Sequence, residues 1–251
     1  MTPEHGLLLA AAAFAAGALN AVAGGGSFLT FPALVFTGVP PIVANATSAV
    51  AVSPGYLGST WGLRQELAGL PRQRLRREAG IAAAGGVLGA LLLLVTPADT
   101  FRALVPWLLL FATGVFMAGP ALVRRLTRHR GQAPGALARA WGLLAVSVYG
   151  GYFNGGLGIL LMALYAVTGE TRIHTANALK NLNSLVLSWL SVATFAVAGA
   201  IAWGPALLMM AAATAGGYAG ARAARQLPAQ AVRALVTVTG LLMSAVFFLR
   251  D

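Results

Sequence analysis

From Ile81 to Val95 the chain carries no charged or hydrogen-bonding side chain. A run of that kind cannot coat a surface facing water, and similar runs follow one another along the sequence. Hydrophobic residues fill 58% of the 251 positions and charged residues only 9%, against about 25% charged in a soluble domain. Too few charges remain to cover a globule, so lipid is the expected solvent. A chain crossing lipid must pair its backbone N–H and C=O groups internally, which leaves helices or a closed barrel. Barrel strands would alternate apolar and polar residues. Here the apolar runs are continuous and rich in Ala and Leu, which predicts helices. The expected fold class is an all-α polytopic membrane protein.

The net charge of +11 would suggest nucleic acid as a partner of a soluble protein. In this chain the arginines cluster in short connections beside apolar segments, as positive-inside topology requires. The bilayer is therefore the expected partner, and nucleic acid is not. There is no cysteine, which removes disulfides and thiolate metal sites. No HExxH, GxSxG or carboxylate pair is present, and the three histidines (His5, His129, His174) lie near the terminus or in connections. Neither an enzyme nor a bound cofactor or metal is expected. Met1 to Ala23 lacks a basic start and runs into a glycine cluster that recurs later, so it reads as a retained helix rather than a signal peptide.

Internal repetition organises the rest. PADTFRALV at 97–105 returns as PAQAVRALV at 228–236, and Ala84-Gly85-Gly86 with Gly89 returns at the same offset as Ala215-Gly216-Gly217 with Gly220. One residue out of step with these, Gly24 and Gly26 match Gly156 and Gly158, and Ala44-Asn45-Ala46 matches Ala176-Asn177-Ala178. Each half divides into five apolar segments: 6–23, 27–38, 43–63, 79–96 and 102–122, then 137–154, 157–168, 174–199, 202–221 and 230–249. Residues 1–123 read as a first membrane repeat, 124–139 as a basic cytoplasmic linker and 140–251 as a second repeat. A span needs about 20 residues. Segments 27–38 and 157–168, the second and seventh, are too short to cross unaided and are expected to be broken or re-entrant helices.

Arginine placement gives orientation. Arg64, Arg72, Arg74, Arg76 and Arg77 lie between segments three and four, and Arg124, Arg125, Arg128, Arg130 and Arg139 between the halves. Both regions should be cytoplasmic, leaving the tip between Pro97 and Arg102 external. In the second half the bias inverts. Ala198 to Pro205 carries no charge, whereas Arg222, Arg225 and Arg233 flank the connection equivalent to the external tip. An odd number of crossings per half explains the inversion and places both termini outside. Two inverted repeats are a signature of secondary transporters, in which halves of opposite orientation rock about one midplane site.

The candidate site residues are those the repeats pair. Gly24, Gly25, Gly26 and Ser27 lie between segments one and two, and Gly156 and Gly158 at the equivalent place. Glycine admits backbone geometries closed to other residues, although it also serves close helix packing. A helix starting after such a break offers bare N–H groups and a positive dipole end to an anion. Asn45, Thr47 and Ser48 add donors in the first half. Asn177 and Asn181, four apart on one helix face, add them in the second. Asn183 reads as interhelical glue. Lys180, the sole lysine, is either a substrate group or a side chain snorkelling to water. Tyr56, Tyr149 and Tyr152 are further donors or interfacial anchors. The carboxylates Glu66, Glu78, Asp99 and Glu170 fall at segment ends or in loops, so a midplane acid suited to a cation is missing.

AGGGSFLTFP (23–32) followed by ANATS (44–48), and YGGYFNGGLG (149–158) followed by ANALKN (176–181), resemble the sulfite exporter TauE/SafE family over about residues 8 to 249. Only the first copy carries the proline, at Pro32. The resemblance implies a carrier of sulfite, organosulfonates or related small anions in the cytoplasmic membrane. It makes the glycine turns, Asn45, Thr47, Ser48, Asn177, Lys180 and Asn181 the substrate environment. The resulting expectation is a secondary transporter exporting a small sulfur oxyanion by alternating access, with an anion channel of the same architecture as the alternative. Proton coupling and oligomeric state stay open.

Overall fold

The structure is a computed structural model describing residues 2–22, 25–128, 135–170, 172–223 and 229–250; Ala23, Gly24, His129, Arg130, Arg225 and Pro228 fall outside these. All secondary structure among the described residues is helical. The first part of the chain forms α1 (Pro3–Val22), α2 (Ser27–Phe36), α3 (Pro41–Gly62), α4 (Arg64–Ala68), α5 (Arg72–Val95) and α6 (Ala98–Arg128). The second forms α7 (Ala136–Tyr152), α8 (Leu157–Val167), α9 (Ile173–Val197), α10 (Trp203–Ala223) and α11 (Ala229–Arg250).

Local chemistry sets these ends. Pro41 occupies the first turn of α3, where its missing N–H removes no bond. The short helices α2 and α8 stop alike. Gly38 and Gly169 take positive φ, and the following N–H groups, of Val39 and Glu170, reach back to the carbonyls of Leu34 and Tyr165, which is the Schellman closure. Pro54 lies inside α3 and cannot donate to Val50. The hydroxyl of Ser53 donates to that carbonyl instead, at 2.9 Å.

Two features differ from expectation. The arginine run 72–77 is not a loop: it forms the first turns of α5, capped by Pro71, because arginine is a good helix former. Likewise α6 continues to Arg128 and α7 starts at Ala136, so helix covers much of 124–139. Among the described residues, α5 and the Ala98–Gly119 part of α6 are long and apolar enough to span unaided. The central helices α3 and α9 mix apolar residues with Asn, Ser and Thr, because their polar groups face protein and not lipid.

All five tryptophans lie on the outer surface, each at least 48% exposed, with Leu88, Val95, Phe111 and Val197 also outward. In water such a surface would aggregate; in lipid it is the ordinary coat, with tryptophan enriched near headgroups. Inside, every residue of α3 from Ala44 to Ser53 is buried. α3 packs on α9 and α10, α9 on α5, α1 on α10 and α7 on α5. The short helices cross over, α8 lying against α6 and α2 against α11.

The flanking pairs are glycine seams. A Cβ on Gly85 or Gly89 would collide with Ser147 or the Val148 carbonyl of α7, and one on Gly216 or Gly220 with the Phe14 carbonyl or Ala18 of α1. The twice-occurring Gly-Gly-x-x-Gly pattern therefore marks two backbone-to-backbone helix contacts, the use small residues serve in membranes. We predict that Gly89→Val and Gly220→Val each destabilise the protein by about 1–3 kcal/mol, the usual cost of overpacking. Gly80→Ala, where an added methyl meets nothing, leaves the melting temperature unchanged or raised. Thermal unfolding in detergent measures all three.

Candidate functional site

Between the α1–α10 seam and the central helices α3 and α9 lies a cavity of about 520 Å³. Its wall includes Gly25, Gly26 and Ser27 from the first chain break and Gly156 and Gly158 from the second. Each break turns on one left-handed glycine, Gly25 at φ 94° and Gly156 at φ 73°. A side chain at either position would be strained. Gly156 is also the N-cap of α8, the place Gly26 holds in α2, so both turns use a left-handed glycine but one residue apart relative to the helix start.

The second half supplies the sharper chemistry. Lys180 and Asn181 of α9 both reach the wall, and Lys180 is the only charged side chain among the described lining residues. Gly158 stands beside it: a Cβ placed there would lie 3.7 Å from the lysine stem, in ordinary contact. Among the described residues, the N–H groups of Leu157 and Gly158 close no hydrogen bond in the turn. They are the bare donors expected of a helix start.

The first half is arranged differently. The N–H of Gly26 donates to Asn20 Oδ1 at 2.7 Å, so Asn20 occupies the place an anion oxygen would take. The cluster 45–48 faces away from the cavity. Asn45 Nδ2 donates to the Tyr152 carbonyl at 3.0 Å, and Thr47 Oγ1 accepts the N–H of Ala202 at 3.0 Å. Ser48 shares a 2.6 Å hydrogen bond with Thr30. All three tie helices together in the opposite part of α3. Asn177, one turn before Asn181, is half-buried and lies off the cavity wall. Gly24 lies outside the described residues.

The tyrosines divide as well. Tyr56 lines the cavity and donates to Asn154 Oδ1 at 3.3 Å. Tyr149 supports the second break from behind, donating to the Gly155 carbonyl at 2.7 Å. Tyr152 reaches Thr96. Asn20, Asn154, Ser59 and Tyr218 line the wall without having stood out in the sequence. The first two do carry a signal, since Asn20 stands four residues before Gly24 and Asn154 directly before Gly155. Ser59 and Tyr218 carry none.

Carboxylates assigned to segment ends also prove to be structured. Glu78 and Glu170 both bridge to Arg74, at 2.9 and 3.1 Å. Glu78 also accepts from Tyr165 at 2.7 Å and from Asn183 at 3.2 Å. This network joins the start of α5 to α8 and α9, and the glue reading of Asn183 describes its contacts.

A helical chain with an apolar outer surface and a polar cavity between two broken helices defines a membrane transporter as the class. The chain belongs to the sulfite exporter TauE/SafE family, whose model matches residues 9–247. It is 26% identical over 233 residues to the probable membrane transporter protein ORF9 of Sinorhizobium sp, covering 93% of this chain and 88% of that one. It is 25% identical to the probable membrane transporter protein YfcA of Escherichia coli K12, covering 93% and 86%. It is 28% identical to a probable membrane transporter protein of Haemophilus influenzae, covering 92% and 90%. No solved structure matches the chain.

The two kinds of polar residue should separate on substitution. Asn45→Ala removes one interhelical hydrogen bond, worth about 0.6 kcal/mol on average in a membrane. It should lower the melting temperature slightly and leave anion affinity intact. Asn181→Ala should do the reverse. Thermal unfolding with and without added anion reads both effects.

Proposed function

We propose that the protein is a secondary transporter that exports a small sulfur oxyanion, sulfite or an organosulfonate, across the cytoplasmic membrane. The observation that carries this reading is the cavity itself: one cation, Lys180, beside two helix breaks and a wall of Asn, Ser and Tyr donors. Such a site suits a guest of negative charge. It holds no carboxylate among its described lining residues, which a cation site would need. The substrate groups are Gly25, Gly26, Ser27, Gly156, Gly158, Lys180 and Asn181, with Asn20, Tyr56 and Asn154 added.

Transport proceeds by alternating access of two inverted repeats, residues 1–123 and 140–251, with both termini external and the short second and seventh segments forming the site. Several contacts support the inversion. The Thr47–Ala202 hydrogen bond sets the start of α3 against the connection that follows α9, and the cavity brings the later part of α3 to the early part of α9, which supports opposite directions for these two helices. The packing of α1 on α10 repeats as α7 on α5, and that of α2 on α11 as α8 on α6. The cavity takes its walls from the later parts of α3 and α10 and the early part of α9. These parts lie toward the end of the molecule that holds the arginines, which supports a cavity opening toward the cytoplasm. The opposite end is closed by the Asn45, Thr47 and Ser48 bonds and by Phe31 packed on Phe153 and Phe247. Any proton coupling is a property to measure.

Counterflow in proteoliposomes tests the reading with sulfite, sulfate, sulfoacetate, taurine and a cation control. Wild-type protein should exchange a sulfur oxyanion and exclude the cation. Lys180→Gln should raise the half-saturating anion concentration roughly tenfold, the loss of one charge-assisted contact, and Lys180→Arg should restore part of it. Cation exchange, or an unchanged Lys180→Gln, contradicts the proposal.

A further inference from the structure

A second cavity, of about 660 Å³, lies between the first turns of α5 and α7 and the last turn of α8. Its wall is divided by chemistry. Arg74, Arg77 and Arg139 bring three guanidinium groups, and Ile81, Leu143 and Leu164 bring an apolar floor. Glu78 is the one carboxylate among the described lining residues, and it already accepts from Arg74, Tyr165 and Asn183. Even with Glu170, bridged to Arg74 behind the wall, positive charge remains in excess. Immediately outside, α7 turns Leu137 and Trp141 outward, 70% and 63% exposed. An outward Trp beside arginines marks the level of the phospholipid headgroups.

A freely soluble inorganic anion would use the guanidinium groups and waste the apolar floor. A phosphodiester carrying acyl chains uses both, with its phosphate on the planar guanidinium forks and its first methylenes over Ile81, Leu143 and Leu164. Basic clefts between helices on the cytoplasmic side are where acidic headgroups settle. We propose that this cleft binds the headgroup of an acidic phospholipid. The site is separate from the central cavity, and the proposal stands whichever anion that cavity takes. It also has a mechanical reach, because α8 starts at the second helix break and ends in this cleft.

The test uses full-length protein in nanodiscs of phosphatidylcholine, with or without phosphatidylglycerol. Thermal unfolding and lipid retention in native mass spectrometry are the readouts. Phosphatidylglycerol should raise the wild-type melting temperature and remain bound. The double variant Arg77→Gln/Arg139→Gln should weaken that binding roughly 25-fold, at about fivefold per arginine, with its melting-temperature shift read against the same variant in phosphatidylcholine alone. Arg72→Gln/Arg76→Gln removes the same charge from the same surface but from outside the cavity wall, and it should keep the phosphatidylglycerol shift. Equal loss in both double variants would mean a diffuse surface attraction and overturn the proposal, as would no loss in either. Inorganic phosphate giving the same shift in phosphatidylcholine nanodiscs, abolished by Arg77→Gln/Arg139→Gln, would make the cleft a free-anion site and also overturn it.

Discussion

Hydrocarbon offers no hydrogen bonds, so a helix that breaks inside a bilayer must hide its loose backbone groups within protein. The rest of this structure follows from hiding two such breaks. Gly25 and Gly156 turn the chain, and the freed groups face a shared cavity lined by polar side chains. The cavity wall runs along the α1–α10 seam, and the seam positions on both α5 and α10 are packed so closely that they admit no side chain. The glycines thus serve two purposes. Those at the breaks permit a backbone angle, and those in the seams permit contact.

Much of this was legible in the sequence because membrane constraints are written in residue type. Continuous apolar runs, short second and seventh segments and twin glycine clusters need no tertiary information to be recognised. The Gly-Gly-x-x-Gly pair was visible as a repeat, but its partners on α7 and α1 were not, since nothing local names the helix that fills a groove. The 44–48 cluster illustrates the opposite limit. Asn45, Thr47 and Ser48 have the donors a site requires, yet their donors and acceptors serve Tyr152, Ala202 and Thr30. Residue type gives hydrogen-bonding capacity, and only the fold decides which partner takes it. The arginine run at 72–77 was read as a connection because charge suggests solvent, although arginine continues a helix readily and α5 carries it to the membrane surface.

The two halves are alike in path and unlike in chemistry. At the first break Asn20 occupies the Gly26 amide; at the second, Leu157 and Gly158 keep open donors next to Lys180. The Arg74–Glu78–Glu170 network, with Tyr165 and Asn183, fastens only the α8–α9 side. Met209 and Leu34 stand where strict repetition would place Glu78 and Tyr165, so the first half has no such clasp.

The central claim is that both breaks contact one anion in one cavity. The chain contains no cysteine, so single thiols can be placed without a background. Ser27→Cys at the first break and Gly158→Cys at the second should both react with a membrane-impermeant thiol reagent applied from the cytoplasmic side. A transported anion, added at saturating concentration, should slow both reactions in parallel with the same half-maximal concentration. Protection of one thiol without the other, or of neither, would show that the two breaks do not share a guest.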